Sequence, residues 1–315
     1  MKRYKIAILD SGCNNIQMQN LEIICKKNLL DNSDDVIDEN GHGTATLYIV
    51  NSIVPKSEYI ILKVLDKNAQ SKVCTVLAAL EYLLSIEVDY ICICLSTSIE
   101  TEFNKMYTIC QKLRIQGKYL IASQSNSMEK SYPAEFDNVL GVTGILMKNQ
   151  TDFWFNKKFN IQVVSDLTPI MVPDKNYEKW HMFGGNSKAT ALMCGLVAKN
   201  ADKHSIEEYL DKYCNKNMWT FSDITERKIY DCKLVKGTIL DIMLYEMLLL
   251  VLSKYDSVIE NYTNLHTLFS AEDYYDVLCM IEEKIQISFD FSKFKYSDFD
   301  TIMSLYQRIS SIKEK

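Results

Sequence analysis

Three separated stretches of this chain carry side chains able to activate one another. Ser187 lies in Gly184-Gly185-Asn186-Ser187-Lys188-Ala189-Thr190-Ala191, followed by the apolar series Leu192 to Ala198. Glycines permit a tight turn. A serine at a helix start meets unpaired N–H groups and the positive end of the dipole, which favour a developing oxyanion. Alone, such a serine is more often a helix cap. His42 sits between two glycines in Glu39-Asn40-Gly41-His42-Gly43-Thr44-Ala45-Thr46, at the start of a helix expected over 43–50. Asp10 ends the apolar run Tyr4 to Leu9, and a carboxylate at the end of a buried strand is costly unless paired. Together they are the parts of an activated nucleophile. The serine attacks, the histidine takes its proton, and the aspartate fixes the histidine tautomer.

The order Asp, His, Ser along the chain is that of subtilisin. The motifs Asp10-Ser11-Gly12, Asn40-Gly41-His42-Gly43-Thr44 and Gly185-Asn186-Ser187-Lys188-Ala189-Thr190-Ala191 resemble the active-site motifs of the subtilisin-like serine proteases. The third departs from that family's G-T-S-x-A-x-P, with Asn186 and Ala191 replacing its Thr and Pro. A fourth stretch, Leu120-Ile121-Ala122-Ser123-Gln124-Ser125-Asn126, is similar to the strand and A-A-G-N of the family. The resemblance spans roughly residues 1–235. It implies that Asn126 donates its amide to the oxyanion. It also implies a cleft walled by Leu95, Ser96, Thr97 and Ser98 on one side and Gln70, Ser71, Lys72 and Val73 on the other, with Ser123, Gln124 and Ser125 at the pocket beside the cut. An extended peptide would add between the walls as a strand.

The intervening elements must hold these groups together. Apolar strands are expected at 4–9, 60–65, 88–96 and 120–126, and amphipathic helices at 75–86 and 102–116. Strands alternating with helices mean an α/β fold, a doubly wound parallel sheet with its site at the carboxyl ends of the strands. Residues 146–180 depart most from the family and read either as an extra wall or as an edge ribbon. The acidic stretch Asp31 to Asp38 lacks the glycine and closing glutamate of a calcium loop and reads as a solvated surface loop. Glu129 and Lys130, His181 and His204 read as surface residues.

Totals narrow the classes. A chain of 315 residues with 47% hydrophobic residues can build a large domain and a small one. A net charge of -6 without a basic stripe argues against nucleic acid as a partner. No apolar run is long enough for a membrane span. The chain enters its first strand at once, so no signal peptide is expected, and a cytoplasmic location follows. The ten cysteines are then reduced, buried thiols. Neither a metal nor a cofactor is called for.

Composition shifts near Gly237, giving an expected division into a protease domain, 1–236, and a helical bundle, 237–315. Helices are expected at 239–252, 273–284 and 301–312, the second with Tyr274, Val277, Leu278 and Ile281 on its inner face. This part resembles an acyl carrier protein in Asp273 to Ile287 and in Phe299-Asp300-Thr301-Ile302. The position that would carry phosphopantetheine is Ala271, and its neighbour Ser270 lacks the flanking Asp and Leu. A docking module for a maturation enzyme is therefore expected, with a simple helical cap as the bland alternative. The leading expectation is a serine endopeptidase acting on a peptide, specifically on the leader of a ribosomally made, modified precursor. The alternatives are a non-catalytic peptide-binding scaffold and an acyl transferase that would need a modified Ser270.

Overall fold

The computed structural model describes residues 3–127, 130–200, 205–225, 230–235, 237 and 239–314. Glu129 and His204 lie outside the described residues. The chain divides into two compact units. The first comprises Met1–Thr168, Pro173–Glu178 and Gly184–Lys228, and the second Pro169–Val172, Lys179–Phe183 and Ile229–Lys315.

The first unit is built on strands β1 (Lys5–Asp10), β2 (Ile23–Asn28), β3 (Glu58–Lys63), β4 (Tyr90–Ile93), β5 (Tyr119–Ser123), β6 (Leu140–Ile145), β7 (Phe153–Phe155) and β8 (Val163–Asp166). Its helices are α1 (Asn15–Asn20), α2 (His42–Ile53), α3 (Val73–Tyr82), α4 (Phe103–Ile115), α5 (Gly185–Asn200), α6 (Ile206–Tyr213) and α7 (Phe221–Thr225). The second unit holds a two-stranded ribbon, β9 (Ile170–Pro173) and β10 (Trp180–Phe183). A short strand β11 (Lys216–Asn217) returns to the first unit, and α8 (Ile242–Leu252), α9 (Asp273–Ile285) and α10 (Ile302–Lys313) complete the second. The main sheet runs β11-β7-β8-β6-β5-β4-β1-β3-β2. From β8 to β2 it is parallel, while β7 lies antiparallel to β8. The expected doubly wound α/β sheet is therefore present. The stretch 146–180 supplies β7 and β8, next to the edge strand β11, and its residues 169–172 and 179–180 belong to the second unit.

Side-chain alternation along the parallel strands sets the placement of the site. In β1, Ala7 and Leu9 join the core beneath α3 and α4, so Ile6, Ile8 and Asp10 face the opposite layer. In β4, Ile91 and Ile93 join the same core, which turns Cys92, and Cys94 just beyond it, towards the other face. That face is covered by α2 and α5, which pack on each other. Helix α5 is apolar almost all round and buries 12 of its 16 residues, as a helix enclosed by sheet and neighbours must.

In the second unit, α8, α9 and α10 occupy the expected segments. The buried residues of α9 are Tyr274, Val277, Leu278 and Ile281, the four that helical periodicity turns inward. Met171 and Met182 from the ribbon join their core, and Met182 N–H donates to Ala271 O at 3.0 Å. The unit therefore begins upstream of Gly237 and reaches back to take residues from before Ser187. Its polar centre is His266, which contacts Tyr274 Oη at 2.9 Å and Asp300 Oδ1 at 3.1 Å and stacks on Tyr296. His181 is half-buried on β10.

All ten cysteines are free thiols. Cys13, Cys92, Cys94, Cys110 and Cys194 are buried, whereas Cys74 is exposed and the other four are half-buried. Burial therefore covers only part of the expected set. Cys92 and Cys94, whose pairing by strand geometry would be marginal, have their sulfurs 3.7 Å apart. Among the described residues, no helix is long and apolar enough to cross a membrane, and no three potential metal-ligating side chains gather.

Candidate active site

Asp10 and His42 are brought together at the end of β1 and the start of α2. His42 Nδ1 lies 2.7 Å from Asp10 Oδ1 and 2.9 Å from Oδ2. The carboxylate can only accept, so Nδ1 carries the proton and Nε2 is the ring nitrogen that can exchange one. Asp10 also receives Ser11 N–H at 2.7 Å and Thr46 Oγ1–H at 3.0 Å. With its side chain 1% exposed, the carboxylate is paired as its burial requires. Burial of the imidazole pushes its pKa down, but the charge and hydrogen bond of Asp10 outweigh this and raise it from 6.5 to about 9.

The start of α2 is held by its neighbours. Asp38 Oδ1 accepts from Gly41 N–H at 2.8 Å and from Asn40 N–H at 3.0 Å, and Oδ2 accepts from Thr44 N–H and Oγ1, both at 2.8 Å. This carboxylate satisfies donors that a helix N-terminus leaves open. Asp38 is thus buried and structural, which corrects the reading of 31–38 as wholly solvated; Asp31, Asp34 and Asp35 are exposed. Gly43 follows His42 because its backbone runs against β1's exit: a Cβ there would lie 2.3 Å from Gly12 O.

Ser187 stands in the first turn of α5, half-buried. Its Oγ donates to Cys94 O at 3.5 Å, and Cys94 Sγ donates to Ser187 O at 3.5 Å. Cys94 and His42 line one cavity of about 270 Å³, whereas Ser187 is bonded to Cys94 but is not among the residues that line it. Asn126 is exposed and its Oδ1 accepts Asn186 N–H at 3.1 Å, which leaves the amide NH₂ end as a donor beside the serine turn. Asn186, 1% exposed, fastens that turn: Nδ2 donates to Gln124 O and Ser125 O, both at 3.1 Å, and Oδ1 accepts Gly144 N–H at 2.8 Å. Asn186 is the residue by which the motif departs from G-T-S, and it spans β5 and β6.

The expected cleft residues divide. Ser71, Lys72, Val73, Leu95, Ser96 and Thr97 line the cavity, together with apolar Val76, Met106 and Tyr132. Gln70 and Ser98 are not among its lining residues; Gln70 closes a turn with Asp66, and Ser98 is exposed. Ser123 and Gln124 are buried at the end of β5, with Ser125 half-buried beside them. Thr97 gives both main-chain groups to Tyr132, at 3.0 and 2.8 Å, so it has none to offer an added strand.

Sequence reasoning missed Cys94, Thr46, Asp38, Lys188 and Asp166. Lys188 directly follows Ser187, yet its Nζ lies 2.5 Å from Asp166 Oδ2, with both side chains 1% exposed. No local pattern links residues 22 positions apart. An unexplained lysine inside a buried helix start was the available signal.

The fold is similar to that in the crystal structure of a cold adapted subtilisin-like serine proteinase, with a TM-score of 0.52 and 16% sequence identity, covering 64% of this chain and 76% of that one. No family profile matches the chain, and no curated protein matches it. The fold class is thus the subtilisin-like α/β sheet.

Proposed function

We propose that the chain is a serine endopeptidase. Ser187 is the nucleophile, His42 the general base that later protonates the leaving amine, and Asp10 the group that orients the imidazole and stabilises its charged form. The Asn126 amide and the Ser187 N–H hold the oxyanion. The observation that carries this reading is the buried Asp10–His42 pair with its 2.7 Å contact, beside a cavity also lined by Cys94, whose main-chain carbonyl accepts from Ser187 Oγ at 3.5 Å. The peptide lies along Leu95 and Ser96 opposite Ser71 to Val73.

The finer proposal is a selective processing protease in the cytoplasm that removes the leader from a ribosomally made, modified precursor. The carrier-like helical unit would dock a maturation enzyme; Ser270, bonded to Asp273 and Glu272, serves as a helix-start residue and not as an attachment point. The test is purified protein with co-encoded precursor peptides and Ser187→Ala as control. Cleavage at one junction by the parent alone is expected, and intact precursor after incubation with folded parent rejects the leader role.

A second reading, a peptide-binding scaffold without catalysis, draws on the bond from Ser187 Oγ to a main-chain carbonyl. Reaction with a fluorophosphonate separates the two, because only an activated serine forms the adduct.

A further inference from the structure

Lys188 is an expensive choice for its position. It lies in the first turn of α5, where the helix dipole disfavours a cation. Its ammonium is withdrawn from water, and a buried charge is costly unless paired and hydrogen-bonded. An apolar side chain of equal length would fill the same space without that cost. The pair is nonetheless fully developed. Lys188 Nζ donates to Asp166 Oδ2 at 2.5 Å and to Asp166 O at 3.0 Å. Asp166 Oδ1 in turn accepts Thr168 Oγ1–H at 2.5 Å, Met147 N–H at 3.0 Å and Thr168 N–H at 3.1 Å. The adjoining Leu167 O accepts Gly185 N–H at 3.1 Å.

One turn after β8 therefore grips the residue two before Ser187 and the residue one after it. From the other side Asn186 is tied to β5 and β6. Among the described residues, the Ser187 hydroxyl makes a single hydrogen bond, the 3.5 Å contact to Cys94 O. Its direction is set by its neighbours.

We propose that Lys188 and Asp166 are positioning residues, a buried ion pair that fixes the rotation of the first turn of α5 and so aims the Ser187 hydroxyl and N–H at the cleft. This rests on the reading of Ser187 as nucleophile. Neither residue touches the reacting atoms; they act through the backbone of the serine.

The test measures fluorophosphonate labelling of folded protein as a function of probe concentration, separating the maximal rate from the half-saturating concentration, alongside Tm. The variants are Lys188→Met and the double change Lys188→Met with Asp166→Leu. The single variant strands a buried carboxylate and can fail to fold, whereas the double variant removes both charges at similar volume and is expected to keep or raise Tm. The pair's positioning role predicts that the folded double variant labels at least tenfold more slowly at saturation, with the half-saturating concentration little changed. A double variant that labels at the parental rate overturns the proposal. So does a slowing that merely follows the loss of folded protein. If folded parent fails to label, the nucleophile reading falls and the proposal with it; if parent labels and the double variant labels equally, the proposal alone falls.

Discussion

His42 Nδ1 sits 2.7 Å from Asp10 Oδ1, and this contact sets the acid–base behaviour of the site. The imidazole titrates at about 9, above its ordinary 6.5. A protonated ring cannot take the serine proton. Labelling of Ser187 by a fluorophosphonate is therefore expected to rise with pH and level off only above about 9. Asp10→Asn should move this limb to below neutral, because burial then acts without the opposing carboxylate, and should slow reaction by about 10⁴ through loss of the tautomer lock. The same linkage acts on stability. A pKa raised on folding stabilises below about 6.5 and is lost as pH rises through about 9. Thermal unfolding between pH 6 and 10 should show the parent losing this contribution and His42→Ala losing none; equal pH dependence in both would contradict it.

Asn126 is expected to act through its amide end, since its oxygen is held by Asn186 N–H. Asn126→Ala should cost about 10² to 10³ in the rate of peptide hydrolysis, a magnitude established for this donor in subtilisin itself and carried over here. Tm should change little, because the side chain is exposed. An unchanged rate would remove Asn126 from the oxyanion site.

Gly43 has no room for a side chain. Its Cβ would lie 2.3 Å from Gly12 O and 3.2 Å from Asp10 Cβ. Gly43→Ala should cost about 3 kcal/mol of stability, the range of overpacked sites where the backbone must give way. Denaturant unfolding of the two proteins measures this, and a change below about 0.5 kcal/mol would mean that the Asp10 and His42 segments are not held this closely.

Strand β10 ends four residues before Ser187, yet its Met182 belongs to the core of the second unit. Removing the chain beyond residue 228 should strip Met171 and Met182 of their apolar neighbours, at about 2 kcal/mol each. The expected loss of Tm is on the order of 10 °C, read by differential scanning fluorimetry. A truncated protein with parental Tm would show the ribbon to be independent of the helices.

Much of the fold was legible because its signals are local. The apolar runs of β1, β3, β4 and β5 and the helical spacing of α3, α4 and α9 each declare an element within about a dozen residues. Asp10, His42, Asn126 and Ser187 stood out because glycines and strand ends mark them. What stayed hidden is non-local. The Lys188–Asp166 pair, the Asp38 carboxylate at the start of α2 and the Thr97–Tyr132 bridge exist only once the sheet order brings distant loops together. The ribbon's membership of the second unit is of the same kind: the boundary sought near Gly237 follows composition, whereas the unit is defined by who buries Met171 and Met182.

The central claim is that Ser187 is activated by His42. Intact-mass and peptide-mapping analysis after exposure to a fluorophosphonate at pH 9 tests it most directly. The account predicts one adduct per chain, on Ser187, absent in Ser187→Ala and strongly slowed in His42→Ala. Folded parent protein that carries no adduct, or carries it equally in His42→Ala, would contradict it.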